Sequence, residues 1–132
     1  MKLTLKLLFM SVLGLFILTG CRTASIYNVS DSTIEARKGI SQEQVYRAIK
    51  TAGTQLGWQI SKEREGLAKG QIMLRDHSAV VEIPYSTKSY SINYKNSNNL
   101  KYDASKQTIH KNYNGWVQNL DNAIRLQLGN LE

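Results

Sequence analysis

The chemistry open to this sequence is narrow, and its nucleophiles and ligands are quickly counted. Cys21 is the only cysteine in the 132-residue chain, so no disulfide can close within it. His77 and His110 are the only histidines. A zinc site needs three or four ligands, and Asp76, Glu82 or Asp103 would have to supply the rest. The histidines lack the i,i+4 spacing that sets two ligands on one helical face, and surface or capping roles are expected for both. Glu63 and Glu65 stand two apart between Lys62 and Arg64, the pattern of a solvated hairpin. No Gly-x-Ser-x-Gly elbow, P-loop or dinucleotide fingerprint occurs. The expectation is a non-catalytic protein with no metal and no cofactor.

What precedes Cys21 gives its thiol another use. Lys2 and Lys6 lead into a nearly unbroken apolar run from Leu7 to Leu18, short for a hydrocarbon core of approximately 30 Å. A positive start, a short apolar run and small residues make a secretory signal peptide, not a membrane span. Leu18-Thr19-Gly20-Cys21 resembles the lipobox of bacterial lipoproteins. The resemblance implies a diacylglyceryl thioether on Cys21, and a signal peptidase that recognises Leu18, Thr19 and Gly20 and cuts before Cys21. It also implies a further acyl chain on the freed amine. Two chains hold a protein stably on a membrane, each buried CH₂ contributing about 0.8 kcal/mol. Arg22, where an Asp would resemble the inner-membrane retention signal, implies the periplasmic face of the outer membrane in a two-membrane bacterium. With one membrane it implies a lipid-anchored cell-membrane protein. The resemblance covers residues 1–21 only.

Recognition chemistry is densest in Asn96-Ser97-Asn98-Asn99-Leu100-Lys101-Tyr102-Asp103, with His110 and Tyr113 following. Amides donate and accept, a phenol adds a flat ring with a polar tip, and an imidazole can do either. Asn98, Asn99, Tyr102, His110 and Tyr113 are therefore the candidate binding residues, for an envelope protein, a peptide or a wall polymer. The same residue types also serve as turns and helix caps. The rival reading is a small periplasmic enzyme or small-ligand binder with its site near residues 96–113. A closed apolar cavity holding His110 and Tyr113 would favour that rival; a filled core with an exposed sheet edge would favour a binding module.

Charge narrows the partners. Without Lys2 and Lys6 the chain keeps 15 Lys and Arg against 10 Asp and Glu, scattered and without a basic run. Nucleic-acid binding needs a clustered basic footprint, so no nucleic-acid partner is expected. A mild positive excess suits anionic headgroups or wall polymers, and equally suits plain solubility.

The elements that must position these residues follow from periodicity. Residues 1–20 are the signal peptide, and 21–40 are the lipidated cysteine and a polar tether. Within it, Ile26–Val29 or Thr33–Ala36 could add a short edge strand. Residues 41–132 form one domain, within the usual range of about 100–200 residues. Ser41-Gln42-Glu43-Gln44 is a capping box, and Val45, Ala48, Ile49, Ala52 and Leu56 make an apolar stripe. Together they predict a helix over 42–55 that stops at Gly57. From Trp58 the period becomes two, predicting strands on Trp58/Ile60, Ala68–Leu74, Ala79–Tyr85 and Tyr90–Tyr94. Gly70 is expected as a weak point or bulge, and Pro84 at an edge or bulge. Lys95–Gln107 reads as a long loop. Tyr113, Trp116, Val117, Leu120, Ile124 and Leu128 predict a helix over 109–128 with Gly129 as its stop and Gly115 as a point of close approach. Both tryptophans are expected to be buried. The expected fold is α+β: a two-layer sandwich of a four-stranded antiparallel meander, with one helix before and one after it on the same face.

Overall fold

The computed structural model describes residues 22–35 and 38–131. The leader, Leu18, Thr19, Gly20 and Cys21 lie outside the described residues. In chain order the elements are β1 (Thr23–Ser25), β2 (Val29–Thr33), α1 (Gln42–Gln55), β3 (Gln59–Arg64), β4 (Leu67–Leu74), β5 (His77–Pro84), β6 (Ser89–Asn98), β7 (Thr108–His110) and α2 (Lys111–Gly129).

Helix α1 opens on the capping box. Gln44 N donates to Ser41 Oγ at 3.1 Å, and Ser41 N donates to Gln44 Oε1 at 2.8 Å. It closes at Gly57, whose φ of +86° suits glycine alone. Trp58 N donates to Gly53 O at 2.9 Å and Gly57 N to Thr54 O at 3.2 Å, the paired bonds of a Schellman cap. A Cβ on Gly53 would stand 2.5 Å from Ile60 Cγ1, so glycine is what lets β3 approach the helix. At Gly115, where close approach was expected, a Cβ would meet nothing within 4 Å.

Strands β3 to β6 lie side by side in chain order and are antiparallel throughout. The four-stranded meander is nevertheless not the whole sheet. β2 adds a fifth strand on the free edge of β6, giving the order β2-β6-β5-β4-β3, and β1 pairs with β7 in a separate two-stranded sheet. Val-Ser-Asp-Ser-Thr has no apolar alternation to announce β2; only Val29 is buried, opposite Ile92. An edge strand does form in the segment read as a tether, but over Val29–Thr33 and not Ile26–Val29 or Thr33–Ala36, and with β1 it holds residues 23–33 in the fold.

The last strand is longer than its apolar alternation suggests. β6 continues to Asn98 through a bulge at Lys95, because Val80 pairs with Asn96 while Val81 pairs with Tyr94. The predicted loop shrinks to residues 99–107, and β7 takes the residues expected to start the second helix. Gly70 sits in regular register between Ile60 and Val81, with no bulge. Pro84 ends β5 opposite Leu67 of β4, where no ladder pair joins it to β6.

Both helices cover one face of the sheet. Lys62 of β3 lies over the Tyr46 ring of α1 at 4.6 Å, and Tyr94 of β6 meets Tyr113 of α2. Ile49, Ile83, Ile92, Leu120 and Ile124 are fully buried between the layers. The other face presents rows such as Gln59, Gln71, Val80 and Asn96, or Ser61, Lys69, Glu82 and Asn93, none of them fully buried. Trp58 is buried as expected, whereas Trp116 is only partly buried at the margin of the core.

Candidate functional site

Three tyrosines join the predicted loop to the second helix. Tyr94 shares the inner face of β6 with Tyr90 and Ile92 by simple alternation. Its ring lies 4.5 Å from that of Tyr102 and 5.5 Å, edge-on, from that of Tyr113. Tyr113 is fully buried in the first turn of α2, and its hydroxyl has no hydrogen-bond partner among the described residues. Burial pushes the Tyr113 hydroxyl well above the usual tyrosine range. Burial raises the Tyr94 hydroxyl as well, against the opposing effect of Ser97 Oγ at 2.8 Å. Tyr102 stays exposed on the outer side of the row. Two of the candidate binding residues, Tyr102 and Tyr113, thus meet through Tyr94, which was not among the candidates.

The remaining candidates hold the same end of the fold together. Asn98 closes the β5–β6 ladder opposite Ser78. Asn99 adopts a left-handed φ of 58°, which asparagine tolerates. Asn99 Nδ2 donates to Asp76 Oδ2 at 2.9 Å, and His77 Nδ1 donates to Asn99 O at 2.7 Å. These bonds fasten the end of β6 to the β4–β5 hairpin. His110 caps α2: Asn112 N donates to its Nδ1 at 3.1 Å, and His110 N donates to Leu100 O at 2.8 Å. Between them, Asp103 Oδ1 accepts from Ser105 Oγ, Ser105 N and Lys106 N at 2.7 to 3.1 Å. The bond from the Ser105 hydroxyl, then those from the backbone, hold its carboxyl below the usual range.

The start of the described chain is stitched to this end. Lys111 N donates to Arg22 O at 3.0 Å and Ile26 N to Gln107 O at 3.0 Å. Asn114 clamps the strand from both sides, its Oδ1 accepting from Tyr27 N at 2.9 Å and its Nδ2 donating to Ser25 O at 2.8 Å. Nothing in residue type marks Asn114 for this role; the position becomes meaningful only once β1 is paired.

A second polar cluster escaped the sequence reading. Asp121 is buried on α2, with Oδ1 accepting from Tyr90 Oη at 2.5 Å and Oδ2 3.1 Å from Arg125 Nη2. Burial, then the bond to Asp121, pushes the Tyr90 hydroxyl up to about 12. Beside the cluster runs a groove lined by Ser32, Thr33, Ile34, Glu35, Arg125, Leu128 and Gly129. A signal was present: Asp121 falls four residues after Val117 and three before Ile124, on the flank of an apolar stripe, with an arginine at i+4. Both carboxylate oxygens are engaged and the phenol is neutral near pH 7, so the cluster works as a fastening between β6 and α2.

Among the described residues no group of three or more His, Cys, Asp or Glu is placed to hold a metal ion. No helix among them is long and apolar enough to cross a membrane. No family model, curated protein or solved structure matches the chain.

Proposed function

We propose that this protein is a bacterial envelope lipoprotein, held on the membrane by acyl chains on Cys21 and acting as a non-catalytic binding or accessory module on the periplasmic face. The observation that carries the reading is the sole thiol of the chain standing at the end of Leu18-Thr19-Gly20-Cys21. The fold lends it support. Residues directly after Cys21 are tied into the domain, so a lipid there would seat the domain at the membrane surface instead of dangling it on a tether. The partner is an envelope protein or a wall polymer. The interior favours this reading over a small-ligand enzyme near residues 96–113. Tyr113 is packed against Tyr94, and the His110 Nδ1 is spent on a helix cap.

Metabolic labelling with a fatty acid tests the anchor. The wild-type protein takes up label and is cut before Cys21. Cys21→Ser takes up none and keeps its leader. A wild-type protein without label would overturn the reading. Capture from envelope extract then tests the module. An Asn98→Ser, Asn99→Ser, Tyr102→Ser variant that stays folded and still captures its partner places recognition away from this end, on the sheet edge or the polar face of the sheet.

A further inference from the structure

The two ends of the sheet carry different surfaces. Strand β6 has ten residues, so at about 3.3 Å per residue its Asn98 end lies roughly 30 Å from its Ser89 end. The Asn98 end gathers the β4–β5 hairpin, the end of α1, the 99–107 loop and the start of the described chain. Asn99 bonds Asp76 and His77, Gly57 lies beside Met73, and Lys111 bonds Arg22. Large apolar side chains are exposed here: Met73 at 69%, Leu74 at 52%, Leu56 at 40% and Tyr102 at 39%. The one other exposed large hydrophobic residue among those described is Leu126 at 65%, near the far end of α2. Arg75 in the hairpin, Lys101 beside Leu100, and Arg22 and Lys111, which bond each other through the backbone, are exposed here too, and Lys106 is exposed in the 99–107 loop; the acids among these segments are Asp76 and Asp103.

Single exposed aliphatic side chains are ordinary on soluble proteins. Here apolar tips, a half-exposed tyrosine and a surplus of cations lie together with Arg22, the first described residue. Cys21 directly precedes Arg22 in the sequence.

We propose that this end is a membrane-contact surface, with Met73 and Leu74 at headgroup depth in an anionic bilayer and the five cations among its phosphates. The inference rests on the lipid-anchor reading and adds an orientation to it. Apolar tips gain by leaving water, tyrosine rings favour the interface, and an anionic leaflet attracts clustered Lys and Arg. An anchor so close to the surface keeps its effective concentration at the bilayer high, so weak contacts suffice to seat it.

The acylated, processed protein allows a clean test, because a thioether on Cys21 leaves no native thiol. Met73→Cys and Leu126→Cys each then take one environment-sensitive fluorophore, in vesicles of phosphatidylethanolamine and phosphatidylglycerol. The label at 73 should be several-fold less quenched by aqueous iodide than the label at 126. Changing Lys101, Lys106 and Lys111 to Glu, or using phosphatidylcholine alone, should remove most of that difference. Equal quenching at the two positions in acylated protein would overturn the proposed orientation and leave the anchor standing. Protection that ignores both the charge changes and the lipid would overturn the role of the cations. Labelling of Cys21 itself in the wild-type protein would overturn the anchor and the orientation together.

Discussion

Tyr90 and Asp121, 31 residues apart, meet at 2.5 Å between phenol and carboxylate and tie strand β6 to the middle of helix α2. The opposite carboxylate oxygen is held by Arg125 at 3.1 Å. A buried carboxylate is costly unless hydrogen-bonded, and here both oxygens are served. Tyr113, in the same core, buries its hydroxyl without a partner among the described residues. The same substitution should therefore have opposite signs at the two sites. Tyr90→Phe leaves one Asp121 oxygen unpaired and should cost about 1.5–3 kcal/mol. Tyr113→Phe removes an unpaired buried hydroxyl and should be neutral or stabilising by about 1 kcal/mol. Urea midpoints at neutral pH measure both, and a destabilised Tyr113→Phe would reveal a bond this structure does not show.

Tyr90 also makes stability depend on alkaline pH. In the unfolded chain a tyrosine titrates near pH 10, whereas in the fold the Tyr90 hydroxyl titrates at about 12. Between these values the unfolded chain has lost a proton that the folded chain retains, so stability falls as pH rises. The contribution is intact below about pH 10 and declines by roughly 1.4 kcal/mol per pH unit through the window. Unfolding midpoints taken across it should fall more gently in Tyr90→Phe than in the wild type. Parallel slopes would show that Tyr90 is not the group responsible.

Glycines at 53 and 115 should respond to alanine in opposite directions. At position 53 the new methyl would stand 2.5 Å from Ile60 Cγ1 and 3.3 Å from Trp58 Cβ. Overpacking of this kind costs about 1–3 kcal/mol. At 115 the methyl meets nothing within 4 Å, and helix propensity should add about 1 kcal/mol of stability. Thermal unfolding of the two variants checks the helix–sheet spacing directly. A stabilised Gly53→Ala would mean that β3 can move away from α1 at little cost.

The two tryptophans should separate as well. Trp58 is buried under α1, so Trp58→Ala should cost about 3–5 kcal/mol, a large share of the stability of a domain this size. Trp116 sits at the core margin and should cost clearly less. Equal losses in urea would place Trp116 deeper than this packing allows.

Much of this molecule was written locally. Ser41 and Gln44 can bond each other at three residues' separation, and Gly57 can turn left-handed whatever surrounds it, so α1 was legible at both ends. Alternation over 79–83 and 90–94 marked the inner face of the sheet because a strand's side chains point alternately by covalent geometry alone. Tyr102 and Tyr113 were legible as residue types, though not that they would meet through Tyr94.

Other features exist only as relations between distant segments. Val29–Thr33 has no pattern of its own and becomes a strand because β6 offers it an open edge. Thr23–Ser25 and Thr108–His110 are too short to show a period and are strands only for each other. Asn96–Asn98 looks like a loop until β5, through the bulge at Lys95, supplies its hydrogen bonds. Asp121 is an ordinary helix acid until Tyr90 and Arg125 close over it. Periodicity reports what each residue faces along its own element; which edges are free, which polar groups meet and which side chains share an end are set by how elements far apart in the chain satisfy one another's backbone and burial.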